Sequence, residues 1–239
     1  MHFVLLGNRA LQDTLTSTKD DPMRSLRFVA CLAIAVLAAT TAQAAPIEIF
    51  NTGVDGSGAP LADNAIDSHW TLSGVGAASG QGPDAIVATS AGGFPIGPWL
   101  GDNATSAWIT PSEDTSGPGA TDGTAIYTFS TAFTTPGSGQ VTFAGVQSAD
   151  NGVVGFDVDG IAGNFTLVGF NDWAGFDIVA NVTGTSHTLS FQVQNGTGED
   201  NPDGPIGLRV EFETADYVPE PASLALLAIS GLALLRRRR

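Results

Sequence analysis

Between residues 46 and 217 apolar side chains recur in short runs at every second position, and Gly, Asn, Asp and Pro break the runs. Phe156-Asp157-Val158-Asp159 and Leu189-Ser190-Phe191-Gln192-Val193 alternate cleanly. A period of two places one face of a segment in a core and the other in water, which predicts strands. Runs rich in Val, Ile, Phe and Thr between turn residues extend the prediction to Ile47–Phe50, His69–Leu72, Asp84–Thr89, Ala107–Thr110, Ala125–Phe133, Gln140–Gln147, Val153–Val158, Asn164–Phe170, Phe176–Ala180, His187–Val193 and Gly207–Thr214. No window in this region has the 3.6-residue period of an amphipathic helix. Roughly ten strands with turn signals between them predict an all-β domain, a β-sandwich and most simply a jelly roll. About 175 residues suit one domain with a sizeable core. No repeat of about 20 to 50 residues points to a solenoid or propeller.

The two ends follow a different pattern. Met23-Arg24-Ser25-Leu26-Arg27 is a basic start, Phe28 to Ala39 is an apolar run, and Ala42-Gln43-Ala44 is an A-x-A cleavage pattern. These features predict a signal peptide over 23–44, recognised by the export translocon and cut after Ala44. Residues 1–22 contain Asp13, Lys19, Asp20, Asp21 and Pro22, which a signal peptide does not need, so Met23 is the expected start. Cys31, the single cysteine, lies inside the signal, so the mature chain is expected to have no disulfide. At the other end Val218-Pro219-Glu220-Pro221 precedes an apolar stretch, Ala222 to Leu235, and the block Arg236, Arg237, Arg238 and Arg239. An uncharged stretch followed by arginines predicts a short membrane helix whose basic end stays cytoplasmic, so the chain before it faces outward.

Removing both ends exposes an extreme charge balance. Asp13, Asp20 and Asp21 are the only acids outside 46–220, and Arg209 is the only Lys or Arg within it, which leaves 21 acids against one base. A chain near −20 has no counterion-releasing contact to offer nucleic acid or an anionic lipid surface. By itself the acidity reads first as solubility and mutual repulsion outside the cell, and divalent cations are the electrostatic partners such a surface could take.

The tail resembles the PEP-CTERM sorting signal of bacterial exported proteins: V-P-E-P, a short apolar helix and an Arg cluster stand in order over 218–239. The resemblance implies an exosortase, a membrane transpeptidase-like enzyme of exopolysaccharide-producing bacteria, which acts at or near Pro219-Glu220-Pro221. Glu220 is then a recognition residue. The protein would be anchored briefly in the inner membrane and then reach the cell surface or extracellular matrix. A second resemblance lies in the 46–217 domain. Trp70-Thr71-Leu72-Ser73, Ser106-Ala107-Trp108-Ile109, Tyr127-Thr128-Phe129, Ala149-Asp150-Asn151-Gly152 and Pro205-Ile206-Gly207-Leu208-Arg209-Val210 are similar to segments of a domain often found ahead of such tails. They are also similar to galactose-binding-like jelly rolls, with Asp159-Gly160 where those usually have Asn-Gly.

Candidate binding residues follow from residue type and context. Trp70 and Trp108 stand in strand-like alternation and are expected in the core. Trp99 and Trp173 stand in Gly-, Asn- and Asp-rich loops, where an indole face could stack on a sugar ring. Glu199, Asp200, Asn201 and Asp203 place oxygens at spacings like the first half of a calcium loop, but Val210 stands where an EF-hand has its bidentate Glu. A structural Ca²⁺ there, or at Asp150 and Asn151, and a solvated turn both remain open. No cysteine nucleophile, lysine or G-x-S-x-G elbow occurs in the domain, and two histidines are too few for the usual zinc site. The reading is an exported, non-catalytic, glycan-binding matrix protein. Its alternatives are a calcium-bridged adhesive protein and a glycan hydrolase with an unmarked carboxylate pair.

Overall fold

Alternation produces the strands it predicts, and the computed structural model describes them over residues 43–93, 99–120, 124–196 and 204–220. In chain order they are β1 (Ala45–Pro46), β2 (Ile66–Val75), β3 (Asp84–Ala88), β4 (Trp108–Thr110), β5 (Ile126–Thr134), β6 (Gly139–Asp150), β7 (Gly152–Val158), β8 (Ile161–Ala162), β9 (Asn164–Phe165), β10 (Ala174–Val182), β11 (Ser186–Gln194) and β12 (Gly207–Pro219). The only helical turns among the described residues are two three-residue 3₁₀ turns, at Gly76–Ala78 and Ser90–Gly92. No helix among these residues is long and apolar enough to cross a membrane. The predicted signal segment up to Ala42, and the tail from Pro221 onward, lie outside them.

The strands form one continuous sheet in the order β8-β7-β11-β5-β2-β3-β4-β12-β6-β10-β9, with β1 on the flank of β12. All pairings are antiparallel, and the all-β expectation holds. The two halves are not separate sheets, because β3 and β4 join them and the sheet rolls up nearly into a barrel. Its free edges, β8 and β9, are two residues each and are separated in sequence by Gly163 alone. A side chain at Gly163 would stand 2.5 Å from the Phe156 ring, so glycine lets the chain cross from one edge to the other here.

The inward positions meet in one aromatic-rich core. Phe156 of β7 and Phe191 of β11 stack at 4.7 Å, and both meet Phe176 of β10 edge-on at 5.1 Å. These contacts tie the two halves together across the roll. Trp70 is buried, as expected, and its indole N–H donates to the Phe50 carbonyl at 3.3 Å.

Two predicted strands need correction. Residues 47–50 are not a strand; pairing there is confined to Ala45 and Pro46, and beyond them Ile47 N–H still donates to Ala215 O. The predicted strand Asn164–Phe170 stops at Phe165. Past Thr166 the backbone carbonyls are taken by side chains and a loop instead of a ladder: Gln147 donates to Thr166 O, Ser148 to Gly169 O, and Leu100 N–H to Phe170 O.

Candidate functional site

Strands β6 and β12 pair from Gly207↔Asp150 at one end to Pro219↔Gly139 at the other. The 12 residues of β6, at about 3.3 Å each, separate two poles of the domain by roughly 40 Å.

The distal pole holds the tryptophans. Trp99, expected to line a groove, is instead packed inside with 8 % of its surface exposed. Its ring lies 4.4 Å from Trp108, and its indole N–H donates to Asp150 Oδ2 at 3.0 Å. Trp108 donates to Leu100 O at 2.9 Å. Gly207 allows this approach, since a side chain there would stand 3.2 Å from both rings. Asp150 is itself buried at the end of β6; burial pushes its carboxyl up to about 6, against the pull of the Trp99 hydrogen bond.

Beside this pair the lone base of the domain is enclosed. Arg209 is 1 % exposed. Its guanidinium donates to Ser106 Oγ at 2.7 Å, Ser106 O at 3.1 Å and Gly101 O at 2.6 Å, which fixes the loop before β4. Glu211 Oε1 lies 3.8 Å away and accepts from Asn103, Thr105 and Ser106. Burial raises the Glu211 carboxyl, but those hydrogen bonds and Arg209 outweigh it and hold it below the ordinary value. Trp173 is half-buried, with the Arg209 guanidinium 5.1 Å from its ring centre. One sugar-stacking candidate is thus core and the other is engaged by a cation.

A groove of about 430 Å³ opens at the same pole, lined by Asn151, Gly152, Val153, Val154, Leu167, Val168, Gly169 and Gln194. None of the eight is charged. Leu167 is 74 % exposed and Val154 43 %, so aliphatic surface faces solvent there. Asn151 Oδ1 accepts the Gly196 N–H at 2.7 Å and fixes the turn beside the groove. Among the described residues no three His, Cys, Asp or Glu side chains gather in a way that could hold a metal ion. Glu199, Asp200, Asn201 and Asp203 lie outside those residues.

The proximal pole joins three turns. Asp159 Oδ2 accepts from His187 Nδ1 at 2.7 Å, and His187 Nε2 lies 2.9 Å from Thr135 Oγ1. Carboxylate, imidazole and hydroxyl in that order also describe nucleophilic hydrolases. Here, however, Thr135 is 5 % exposed, and its oxygen lies against two carbonyls, Gly137 O at 2.8 Å and Gly184 O at 3.3 Å. The hydroxyl hydrogen is thus engaged by backbone carbonyls and its oxygen enclosed, and the chain of bonds from Asp159 through His187 to Thr135 staples the three turns together. Thr135 N–H also donates to Thr185 O, and Thr188 N–H to Asp159 Oδ1. Sequence reading missed this staple and the enclosure of Arg209. The latter had a signal, one arginine flanked by Leu208 and Val210 in a strand.

Both ends of the domain come to this pole. Ala45 pairs with Tyr217, and Ala44, the expected signal-cleavage residue, is exposed just before it. Val218 and Pro219 are the last residues of β12, and Glu220 follows, exposed. Ala42, Pro221 and Arg236 to Arg239 lie outside the described residues.

Fold and geometry together define an all-β domain whose last strand among the described residues takes in Val218 and Pro219. Residues 218–239 match the PEP-CTERM protein-sorting motif. That match indicates an exported protein with a membrane-associated sorting signal and an exosortase as its processing partner. No curated protein and no solved structure matches the chain.

Proposed function

We propose that this protein is a non-catalytic component of an exopolysaccharide matrix, delivered by the translocon and an exosortase, and that it holds an uncharged stretch of glycan in the distal groove. The observation that carries this reading is the lining of that groove: aliphatic side chains and two amides, without charge, in a domain with 21 acids. Anionic polymers meet repulsion on such a surface, and Arg209 is enclosed and offers them nothing. A neutral polyol escapes that repulsion. Val154 and Leu167 offer apolar area to pyranose C–H faces, and the side-chain amides of Asn151 and Gln194 offer hydrogen-bonding groups. The likeness to galactose-binding-like jelly rolls belongs to the same reading, supported by the rolled antiparallel sheet with its groove on a loop-bearing pole.

Binding of the mature exported protein to a panel of neutral and acidic polysaccharides, with and without EDTA, tests the proposal. Saturable, EDTA-insensitive binding to one neutral class is the expected result. Absence of saturable binding together with EDTA-sensitive oligomers would replace it with a calcium-bridged matrix protein, and release of reducing ends would replace it with a hydrolase.

A further inference from the structure

A sorting motif next to a membrane segment would ordinarily be pictured as a loose tether that any enzyme can pull into its cleft. In this protein the first half of Val218-Pro219-Glu220-Pro221, which opens the motif, is part of the folded sheet. Val218 pairs with Gln140 and Pro219 with Gly139, so β6 holds the first two residues of Val218-Pro219-Glu220-Pro221 as strand. The hold weakens residue by residue. Tyr217 is flanked on both sides, by Val141 of β6 and by Ala45 of β1, and is 4 % exposed. Among the described residues Val218 and Pro219 pair with β6 alone, and the Glu220 backbone has one long hydrogen bond, from its N–H to Ser138 O at 3.4 Å.

Three details show how this end is held. A side chain at Gly139 would stand 2.5 Å from the Tyr217 ring and 2.5 Å from Val218 O, so the strands close here only because that position is glycine. Tyr217 donates its hydroxyl to Ser138 O at 3.0 Å, the same carbonyl that takes the Glu220 N–H. Ser138 belongs to the turn that begins at Thr135, which His187 and Asp159 tie to the two neighbouring turns. The seat of the motif is therefore anchored from behind by the proximal staple.

We propose that this seat is a substrate-side clamp which sets where the chain is cut: the exosortase acts on a peptide bond C-terminal to Glu220, and the mature protein keeps Val218 and Pro219 as the last residues of β12. A transpeptidase-like enzyme needs several residues of extended, unpaired backbone at its cleft, and each ladder bond broken inside the domain adds to the barrier. Glu220 is the first residue that can be lifted at little cost. In the step itself the carbonyl carbon of the new C-terminal residue exchanges its amide nitrogen for the oxygen of water, or for a hydroxyl or amine of an acceptor. The tail fragment leaves carrying the new amino group, and no oxidant or reductant is needed. The signal-peptide end lies opposite Tyr217, so both processing events act on neighbouring strands of one pole.

The proposal rests on exosortase processing of the tail, and the test separates the two. The full-length chain is expressed in an exosortase-bearing bacterium, and fragment-ion sequencing of the C-terminal peptide of the processed protein gives its last residue, with or without an attached acceptor. The clamp predicts a single end at Glu220 or beyond. An end at Pro219 or earlier would overturn the clamp and leave processing intact, whereas a chain that is never processed would overturn both. A second variant inserts Gly-Gly-Ser-Gly-Gly between Tyr217 and Val218, which frees the whole motif from β6 and leaves the paired domain up to Tyr217. Ends spread over several bonds, including bonds within the insert, are expected. One unchanged end after Glu220 in that variant would show that the motif alone sets the cut and would overturn the clamp.

Discussion

Arg209 has no solvent to interact with, so its replacement reads directly on internal structure. Lysine carries the charge but not the planar fork that reaches Ser106 and Gly101 together. Arg209→Lys is expected to lower stability by about 2–4 kcal/mol in urea unfolding, because it leaves buried carbonyls and part of Glu211 unpaired. Asp150 gives the opposite kind of residue effect. Its folded value, about 6, lies above its ordinary 3.8, so its contribution to stability is fully present below about 3.8 and is lost as pH rises through 6. That gap corresponds to at most roughly 3 kcal/mol, and about 1–2 after screening by the solvent that still reaches the carboxyl. Asp150→Asn keeps an oxygen for the Trp99 N–H and is expected to be more stable than the parent at pH 7.5, with a flatter profile between pH 4.5 and 7.5. Some slope remains from Asp67, which burial also raises against the hydrogen bonds from Gly53 and His69. A variant with the parent's slope would mean that Asp150 is not the group that titrates.

At the scale of elements, most of the strands were legible because Phe156, Val158, Leu189, Phe191 and Val193 alternate with polar neighbours, and period two is a local property. Closure of the roll was not legible. It depends on Gly163 passing beside Phe156, a close approach that no periodicity records, and on β4 pairing with β12, a contact between segments far apart in sequence. Trp99 was misread for a similar reason. Its loop composition is that of an exposed turn, and only the fold brings Asp150 and Trp108 to its indole. The sorting motif over 218–239 was legible in sequence, whereas the inclusion of Val218 and Pro219 in β12 was not. Glycines at crowded ladder positions offer an element-level test. Gly145 faces Glu211 O, and a side chain there would stand 2.1 Å from that oxygen, near the irregularity between Phe212 and Thr214. Gly145→Ala is expected to cost about 1–3 kcal/mol and to lower the thermal midpoint by several degrees. An unchanged midpoint would mean that β12 shifts freely at this point.

At the scale of the whole molecule, the processing end and the proposed binding groove fall at opposite poles. The processed end and the mature N-terminus lie at one pole, and the proposed glycan groove lies at the other, so a protein attached through its C-terminal end would present the groove away from the attachment. Leu167 and Val154 are exposed and uninvolved in the core, which makes Leu167→Asp with Val154→Asp a change in the groove at little cost to folding. The double variant is expected to weaken polysaccharide binding at least about tenfold, through lost apolar contact and added repulsion. The most direct measurement is the fraction of processed protein retained in the matrix of the producing bacterium, compared between the parent and this double variant at equal processing. The variant is expected to pass largely into the wash while its processing is normal; equal retention of the two would contradict a glycan-holding groove at the distal pole.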